Sequence, residues 1–292
     1  MNKLKVWFLE VSRGYSLPMS IFNWLIIFIY SVKLNGNIFY GILALLCVLS
    51  AHAGVNVFDD VIDTILKTPK QECKTSYLDK GIFTLRDIII GSFVYFLIAL
   101  GIGIFLACKC GIEVIIISAI AALICLCYPK LNNFALGELA VGLTFGPLLF
   151  LGVNFVMLQN IDIQAALLSL PVTILTVVVL MIHSLMDYDF DIQSGKKTLC
   201  LIMGTKNKAL NLVFVFISAS YLLTFYLVWI KALSPLALSI ILTIPLAVKL
   251  YKSMNYYNNN EQSKNDFMKN FVLTRNLSLI YNVIIICSLI LK

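Results

Sequence analysis

Long uninterrupted apolar runs dominate this sequence and decide what it can fold into. A helix that crosses a lipid bilayer needs about 20 consecutive, mostly apolar residues, and runs of this kind recur along the whole chain. Of its 292 residues, 60% are hydrophobic and only 13% are charged, whereas about a quarter of the residues in a soluble domain are charged. We therefore expect an all-α, polytopic membrane protein that forms a single domain over residues 1–292.

The apolar runs predict nine transmembrane helices. A basic, amphipathic stretch precedes the first run, and we interpret that run as a spanning helix rather than a cleaved signal segment. Pro147, Pro171 and Pro245 lie within apolar runs, where proline kinks a membrane helix and frees a backbone carbonyl. The predicted spans lie near residues 16–33, 37–58, 87–108, 112–128, 135–157, 165–187, 208–230, 234–250 and 275–291.

Basic residues are distributed unevenly between the loops and thereby predict the orientation of the chain. The N-terminal segment and the loops after the second, fourth, sixth and eighth helices contain all but four of the 22 lysines and arginines. Cytoplasmic loops of membrane proteins carry an excess of these residues. We therefore expect a cytoplasmic N-terminus, an external C-terminus, and long cytoplasmic loops at residues 59–86, 188–207 and 251–274.

Acidic residues cluster at the end of the second predicted helix. Successive helical residues are 100° apart, so Asn56, Asp60 and Asp63 fall within about 60° of one another. Asp59 lies beside them, and His52 lies one turn deeper on the same stripe. One helix face therefore directs several oxygen ligands towards the same place.

A second acidic cluster ends the sixth predicted helix. Asp187 and Asp191 are four residues apart and share one helix face. His183 lies one turn deeper on that face, whereas Asp189 points elsewhere if the helix continues. The two clusters are predicted to lie on the same side of the membrane.

Two like-charged clusters at membrane helix ends require a compensating cation. Unpaired carboxylates in this position cost free energy, and Mg²⁺ binds carboxylate oxygens while it shares substrate phosphates. Solvated helix ends would explain either cluster alone, but they account less well for two clusters with helical spacing on one face. Basic side chains suited to the remaining phosphate charge follow both clusters: Lys67, Lys70, Lys74, Lys196 and Lys197.

At the first cluster the sequence resembles the UbiA superfamily of intramembrane prenyltransferases, and most closely its 1,4-dihydroxy-2-naphthoate branch. The first motif of that branch reads N-x-x-N-D-Y-x-D, and Asn56, Asp60 and Asp63 match it. Asp59 and Val61 replace its second asparagine and its tyrosine.

The second cluster and a third stretch extend the resemblance over nearly the whole chain. The second motif of the branch reads N-N-x-R-D-x-x-x-D-x-x-x-G-K-x-T-L, and here His183, Ser184 and Met186 replace its asparagines and its arginine. The residues in register are Asp187, Asp191, Gly195, Lys196, Thr198 and Leu199. The stretches similar to the family's Y-x-x-x-P, L-G-E and F-F-G-P segments are residues 128–130, 136–138 and 145–147.

The resemblance implies nine transmembrane helices around a central cavity and a Mg²⁺-dependent transfer of a prenyl group from a polyprenyl diphosphate to an aromatic acceptor. The acceptor of the branch is 1,4-dihydroxy-2-naphthoate, in menaquinone synthesis. The implied metal ligands are Asp60, Asp63, Asp187 and Asp191. The residues assigned to the substrates are Asn56, Asp59, Lys67, Lys74, Tyr128, Lys130 and Lys196.

Two residues each have two interpretations. His183, which we count among the catalytic candidates with Lys130, either orients or deprotonates the acceptor or is a buried histidine that is hydrogen-bonded between helices. Glu138 either bonds the end of a neighbouring helix or acts as a catalytic base. The residue types alone do not decide between these roles.

Other functions remain open at this point. A terpene cyclase of the same fold would share the aspartates without needing an acceptor, and a transporter would place its acidic groups near the middle of the membrane. We expect the chain in a bacterial plasma membrane, with the lipid bilayer, the prenyl diphosphate and the acceptor as its partners and with no nucleic acid.

Overall fold

The computed structural model describes residues 3–65, 77–131, 134–260 and 264–292, without the side chains of Asp63, Pro129, Lys264 and Asn265. The described residues form α-helices with short 3₁₀ and π-helical stretches, and they contain no strand. The all-α prediction is therefore confirmed for this part of the chain. The predicted substrate-binding residues Lys67 and Lys74 lie outside it.

The long helices are labelled α1 to α9 in chain order. Seven of those in the described ranges are long and apolar enough to cross a membrane, whereas α1 and α4 are shorter apolar helices. The number of nine membrane-spanning helices therefore stays a prediction. The bounds are Leu17–Lys33 (α1), Ile38–Ile65 (α2), Leu85–Cys110 (α3), Glu113–Leu131 (α4), Gly137–Leu158 (α5), Ile163–Met186 (α6), Lys206–Trp229 (α7), Pro235–Asn259 (α8) and Lys264–Ile290 (α9).

Several helix ends differ from the prediction. α2 continues to Ile65, so the first aspartate cluster lies within the helix instead of closing it. α9 begins at Lys264, before the predicted start of the span near residue 275. Its first turns are polar and carry no long apolar run, so the sequence did not indicate them as part of the span. α6 stays α-helical through Pro171. Short helices also occur at Lys3–Val6, Trp7–Val11, Tyr188–Gln193 and Leu199–Ile202.

α6 lies at the centre of the bundle. Its side chains Leu168, Leu175 and Leu185 are almost completely buried, and the helix packs against α1, α5, α7 and α9. A helix that is apolar all round needs cover on every face. α3, in contrast, exposes Phe93 and Leu97, as expected for a helix that faces lipid.

α5 is interrupted near its middle. Gly146 lies in a π-helical turn with non-helical dihedral angles (φ −104°, ψ −105°), beside Pro147. A Cβ atom at position 146 would lie 1.7 Å from Thr173 Oγ1, so only glycine fits there. Asn23 Nδ2 of α1 donates a hydrogen bond to the carbonyl oxygen of Phe145 at 3.0 Å. The kink predicted at Pro147 is thus present, and a polar side chain of α1 satisfies a carbonyl there.

Candidate active site

The first aspartate cluster lies on the last turns of α2 and is held by the start of the chain. Asn56 Nδ2 donates hydrogen bonds to the carbonyl oxygen of Ser12 (3.1 Å) and to Ser16 Oγ (3.2 Å). The side chain of Asp63, the last acidic member, lies outside the described residues. The segment before α1 therefore packs over the face of α2 that carries the predicted ligands.

Arg13 is a direct partner of this cluster. Its Nη2 donates to Asp60 Oδ1 at 2.6 Å and to Asp59 Oδ2 at 3.1 Å. Burial lowers the pKa of the guanidinium, but the Asp60 and Asp59 carboxylates raise this pKa by more, so Arg13 is held in its charged form. Its backbone is left-handed (φ 49°), a conformation that is uncommon for residues other than glycine and that requires support from surrounding contacts.

Tyr77 binds the other oxygen of the same carboxylate. The buried Tyr77 donates its hydroxyl to Asp60 Oδ2. Burial and the charge of Asp60 raise the pKa of this phenol, so its hydroxyl keeps the proton that it donates. Arg13 and Tyr77 together fix the orientation of the Asp60 carboxylate.

The second aspartate cluster forms where α6 ends. Asp187 has non-helical dihedral angles (φ −94°, ψ 8°) and separates α6 from the short helix Tyr188–Gln193. The backbone N–H of Asp191 donates to the carbonyl oxygen of Asp187 at 2.8 Å, so these two residues lie one helical turn apart. Asp189 forms an ion pair with Lys206 at 2.6 Å. The prediction that Asp189 points away from the shared face assumed a continuous helix, whereas the structure ends α6 at Met186.

Lys196 is tied to the second cluster through its backbone. Its N–H donates to the carbonyl oxygen of Asp191 at 3.1 Å, across a turn in which Gly195 is left-handed (φ 72°). The residue is exposed, and its ammonium forms no ion pair within the described ranges. The turn therefore places an exposed positive charge beside the cluster, and this charge is not paired with a described carboxylate.

Two further residues predicted to bind the substrates lie at the end of α4. Lys130 is exposed at the end of α4, and Tyr128 is half-buried two residues earlier. Lys130 makes no ion pair with any described carboxylate. Among the described side chains, Lys130 is thus not paired with a carboxylate of either cluster.

Both histidines lie among groups contributed by other helices. His183 stacks on Phe271 of α9, with ring centroids 5.2 Å apart and an interplanar angle of 11°. His52 lies between Ser16, directly before α1, and Ser20 of α1, with Nε2 3.2 Å from Ser16 Oγ and Nδ1 2.7 Å from Ser20 Oγ. His52 therefore joins α2 to α1, and His183 packs against α9.

The start of α1 connects the two clusters. Ser16 contacts Asn56 and His52 on α2. On its other side, Ser16 lines a small cavity together with Tyr15 and with His183 on α6. Groups associated with the two aspartate motifs therefore lie at the same end of the bundle, on either side of α1.

A family model matches most of this sequence. The model of the UbiA prenyltransferase family matches residues 20–277. The chain belongs to the UbiA prenyltransferase family. The matched range contains both aspartate clusters, whereas Arg13 and Ser16 precede it.

Solved structures of UbiA homologues share the fold of this family member. The apo structure of a homologue from Aeropyrum pernix K1 is 16% identical, with a TM-score of 0.71 over 94% of this chain and 98% of the other. A homologue from Archaeoglobus fulgidus bound to GPP and Mg²⁺ is 16% identical, with a TM-score of 0.63 over 96% of this chain and 99% of the other. Identities this low establish the fold alone.

One curated relative covers part of the UbiA-family chain. The 1,4-dihydroxy-2-naphthoate octaprenyltransferase of Bacillus subtilis (strain 168) is 30% identical over 116 residues. The match spans 40% of this chain and 37% of the relative. The resemblance to the naphthoate branch thus has a counterpart among curated enzymes, over little more than a third of that enzyme's length.

Glu138 links three elements of this UbiA-family bundle. It is buried at the start of α5, and its Oε1 accepts hydrogen bonds from Ser184 Oγ on α6 (3.1 Å) and from the backbone N–H of Leu199 (3.2 Å). Leu199 begins the short helix after the second motif. Of the two interpretations of Glu138, the bond to a neighbouring helix end is the one that these contacts support.

The donor groups of the two clusters fit a hard divalent cation in their chemistry. All are carboxylate or amide oxygens, and Mg²⁺ typically uses one or two carboxylates while water and phosphate complete its shell. No three His, Cys, Asp or Glu side chains of the described residues lie close enough to form a metal cage on their own. Among the described residues, the Arg13 guanidinium forms ion pairs with Asp59 and Asp60.

Sequence reasoning did not identify Arg13, Ser16 or Tyr77 as members of the site. Arg13 was one of many basic residues on the predicted cytoplasmic side, and Ser16 and Tyr77 carried no motif. The one available signal was an arginine directly before the first apolar run, on the same predicted face as the aspartates.

Proposed function

We propose that this chain is a Mg²⁺-dependent prenyltransferase that moves a prenyl group from a polyprenyl diphosphate to a hydroxylated aromatic acceptor, with 1,4-dihydroxy-2-naphthoate as the first choice. The observation that carries the proposal is the pair of aspartate motifs at one end of an apolar helical bundle, connected through the start of α1. Membership of the UbiA family supports the reaction type. The partial match to a naphthoate octaprenyltransferase supports the acceptor.

The aspartates would bind the metal and through it the diphosphate. Asp60, Asp63, Asp187 and Asp191 are the proposed ligands, and Asn56 and Asp59 support the first set. When bound, Mg²⁺ supplies positive charge that stabilises the departing diphosphate. A homologue with this fold has been solved with GPP and Mg²⁺ bound, which supports the same ligand class here.

Basic side chains would hold the diphosphate charge that the metal leaves uncompensated. Lys196 is exposed beside the second cluster, and Lys130 lies at the end of α4. Arg13 already lies against the first cluster and can exchange a carboxylate for a phosphate oxygen, because both accept paired hydrogen bonds from a guanidinium. We assign Lys67 and Lys74 the same role from the sequence alone.

The apolar bundle would protect the allyl cation from water. Phe145 and His52 form a T-shaped ring pair at a centroid distance of 4.8 Å, and a phenylalanine ring face can stabilise a passing cation. Exclusion of water prevents hydrolysis of the cation before the acceptor attacks. His183, next to the second motif, is the group that we propose to orient the acceptor.

The proposal is tested with purified chain in detergent or liposomes. It is given Mg²⁺ and a panel of prenyl diphosphates, with and without 1,4-dihydroxy-2-naphthoate, and the products are identified by mass spectrometry. We expect a prenylated aromatic product only when both substrates are present. Release of a cyclised hydrocarbon without acceptor, with no prenylated product in the panel, would replace the proposal with a terpene cyclase.

A further inference from the structure

A nine-residue helical segment, Lys3–Val11, precedes α1 and packs against α2 and α3. It is α-helical over Lys3–Val6 and π-helical over Trp7–Val11. Val6 and Val11 are almost completely buried, in a small core that is separate from the main one. The segment is therefore a fixed part of the fold. The other buried members of the small core are Val57, Val61, Tyr77 and Ile88.

Trp7 fixes the segment beside the first turns of α3. Its indole N–H donates to the hydroxyl of Tyr95 at 3.1 Å. Its ring occupies the space beside Gly91, where a Cβ atom would lie 2.1 Å from the ring. Lys3 lies near enough to Asp87 for its charge to act on that carboxylate. Segment positions 3 and 7 are thus opposite α3 positions 87 and 91, and the two helices run side by side in the same direction.

The position of α3 in the bilayer sets the depth of the segment. α3 has no charged residue between Asp87 and Lys109, a stretch of about 21 residues and about 31 Å. This length matches the apolar layer of a bilayer, which is about 30 Å thick. Lys3, opposite Asp87, is therefore level with the headgroups, and Trp7 lies about one helical turn below it, at the interface where tryptophan is enriched.

Two large apolar side chains of the segment are exposed at this depth. Leu4 is 79% exposed and Phe8 is 53% exposed, and residues four apart share one face of a helix. On α3, Ile90 and Val94 are exposed at the same level, as expected for a helix that faces lipid. The exposed face of the segment thus lies beside the surface that α3 presents to the bilayer.

The charged side chains of the segment suit the same placement. Lys3 and Lys5 are exposed on either side of Leu4, at the level of the headgroups, whose phosphates attract lysine. Glu10 lies near enough to Tyr77 for its charge to act on the phenol, so the one acidic side chain of the segment is on the side of the first cluster. An apolar face accompanied by lysines is typical of helices that lie in the membrane interface.

The segment leads directly into Arg13. Ser12 is completely buried, and its Oγ lies 3.0 Å from the hydroxyl of Tyr95, which also accepts the indole N–H of Trp7. Arg13 follows with a left-handed backbone (φ 49°), which persists only when surrounding contacts support it. Its guanidinium contacts Asp60 at 2.6 Å. The attachment of the segment to α3 therefore supports the reach of Arg13 towards the first cluster.

We propose that Lys3–Val11 docks in the headgroup layer of the bilayer, on the side of the two aspartate clusters, and thereby holds Arg13 on the first cluster. Lipid is the partner because the exposed pair Leu4 and Phe8 lies at the depth where an interfacial helix inserts its apolar face. A soluble protein would have to displace headgroups to reach this pair. The docking itself is independent of the proposed function, whereas its effect on the metal site rests on that function.

The first experiment measures where the segment lies. Leu4→Cys and Phe8→Cys, each in a variant without the native cysteines, carry a fluorophore and are reconstituted in nanodiscs of phospholipids that are brominated on the acyl chains. We expect the bromines to quench both labels, and we expect the water-soluble quencher iodide to reach them poorly. Lys80→Cys, an exposed position three residues after Tyr77, is the control and should show the opposite pattern.

The second experiment measures the coupling to the metal site. The double variant Leu4→Gln/Phe8→Gln removes the apolar pair, and the bundle should still fold because both positions are exposed. Ile290→Gln/Leu291→Gln is the matched control, because it removes two exposed apolar residues from the opposite end of the bundle. Mn²⁺ binding in nanodiscs, measured by electron paramagnetic resonance, and a Mg²⁺ titration of turnover are recorded for each variant.

Loss of the lipid contact should reproduce the loss of Arg13. Leu4→Gln/Phe8→Gln should bind Mn²⁺ about two- to fivefold more tightly than wild type, the range expected when a partly exposed ion pair no longer competes with the metal. The Mg²⁺ concentration for half-maximal activity should fall by the same factor. Adding Arg13→Met should cause no further change, because both variants act through one contact. The control should behave like wild type.

Other outcomes overturn the inference in distinguishable ways. Quenching by iodide and not by bromine at positions 4 and 8 would place the segment in water and reject the docking. Protection that appears only at high ratios of chain to lipid would assign the surface to a second copy of the chain. An unchanged Mn²⁺ affinity, or an effect that adds to that of Arg13→Met, would reject the coupling.

The proposed function fails in a different way. Absence of Mn²⁺ binding in wild type would reject the coupling together with the proposed metal site, while the quenching experiment still decides the docking. A chain that gives the expected result in the quenching and Mn²⁺ experiments but prenylates nothing would reject the proposed function alone.

Discussion

Asp60 and Asp187 are the residues on which the two-cluster mechanism depends most directly. Asp60→Ala and Asp187→Ala should each abolish turnover, because either change removes a metal ligand. The helical bundle should remain, since both side chains lie at its end, but Asp60→Ala should also lower the unfolding temperature because Arg13 and Tyr77 lose their acceptor. Turnover measured by mass spectrometry, with thermal unfolding in parallel, checks this, and EDTA should mimic both variants.

Asp189 provides a control from the same loop. Its carboxylate pairs with Lys206 at 2.6 Å, so Asp189→Ala should keep most of the activity. Exposed ion pairs of this kind contribute about 1 kcal/mol or less. Full activity in EDTA, or in either the Asp60 or the Asp187 variant, contradicts the mechanism.

Arg13 gives a second prediction, which concerns competition for the first cluster. Its guanidinium occupies Asp60 Oδ1 at 2.6 Å and also reaches Asp59. Arg13→Met should therefore lower the Mg²⁺ concentration for half-maximal activity, because the metal no longer displaces a cation. It should also lower the maximal rate, because a positive charge near the diphosphate is lost.

A Mg²⁺ titration of initial rates measures both effects. Lys5→Met removes an exposed charge from the same N-terminal segment and should leave both values unchanged. A higher Mg²⁺ requirement in Arg13→Met would mean that the guanidinium orients the carboxylates for the metal instead of competing with it.

At the level of the helices, the attachment of the start of α5 to its neighbours depends on Glu138. Glu138→Leu should lower the thermal unfolding temperature, because the Ser184 hydroxyl and the Leu199 N–H lose their acceptor. A buried polar group without a partner costs about 1–3 kcal/mol. Glu138→Gln keeps an acceptor oxygen at the same place and should retain both stability and activity.

The same pair of variants discriminates between the two interpretations of Glu138. A catalytic base would make Glu138→Gln inactive at an unchanged unfolding temperature. Activity and unfolding temperature, measured on the same preparations, therefore separate a structural hydrogen-bond acceptor from a proton acceptor.

For the whole molecule, the predicted orientation is open to direct measurement. Single cysteines at Lys80 and Gln193, in a variant without the native cysteines, should react with an impermeant maleimide only from the cytoplasmic side. Both positions are exposed; Lys80 lies three residues after Tyr77, the partner of Asp60, and Gln193 lies two residues after Asp191. A cysteine at Asn160, in the turn between α5 and α6, should react only from the outside.

Labelling of Lys80 and Gln193 from opposite sides would place the two motifs on different faces and exclude a shared metal site. Labelling of both positions from the outside would mean that the chain has the opposite orientation, with the two motifs still on one face of the membrane. The prediction rests on the bias of lysine and arginine between loops, which is independent of the contacts between helices.

The sequence by itself determined the all-α class, the approximate helix positions and the spacing of the carboxylates within each motif. These properties depend only on neighbouring residues. A spanning helix is determined by about 20 consecutive residues, and residues four apart share a helix face in any context. Hence Asp187 and Asp191 lie one turn apart, as predicted. The family could also be recognised from the sequence, because its motifs are short runs of residues at fixed spacing.

Only the tertiary structure decided which remote residues complete the site. Arg13 lies 47 residues from Asp60 in the sequence, and Phe271 reaches His183 from the last helix. No local pattern records such contacts, because the packing of one helix on another depends on how side chains from distant segments fit together. For the same reason the small cavity lined by Tyr15, Ser16 and His183 became visible only once α1, α6 and α9 were assembled.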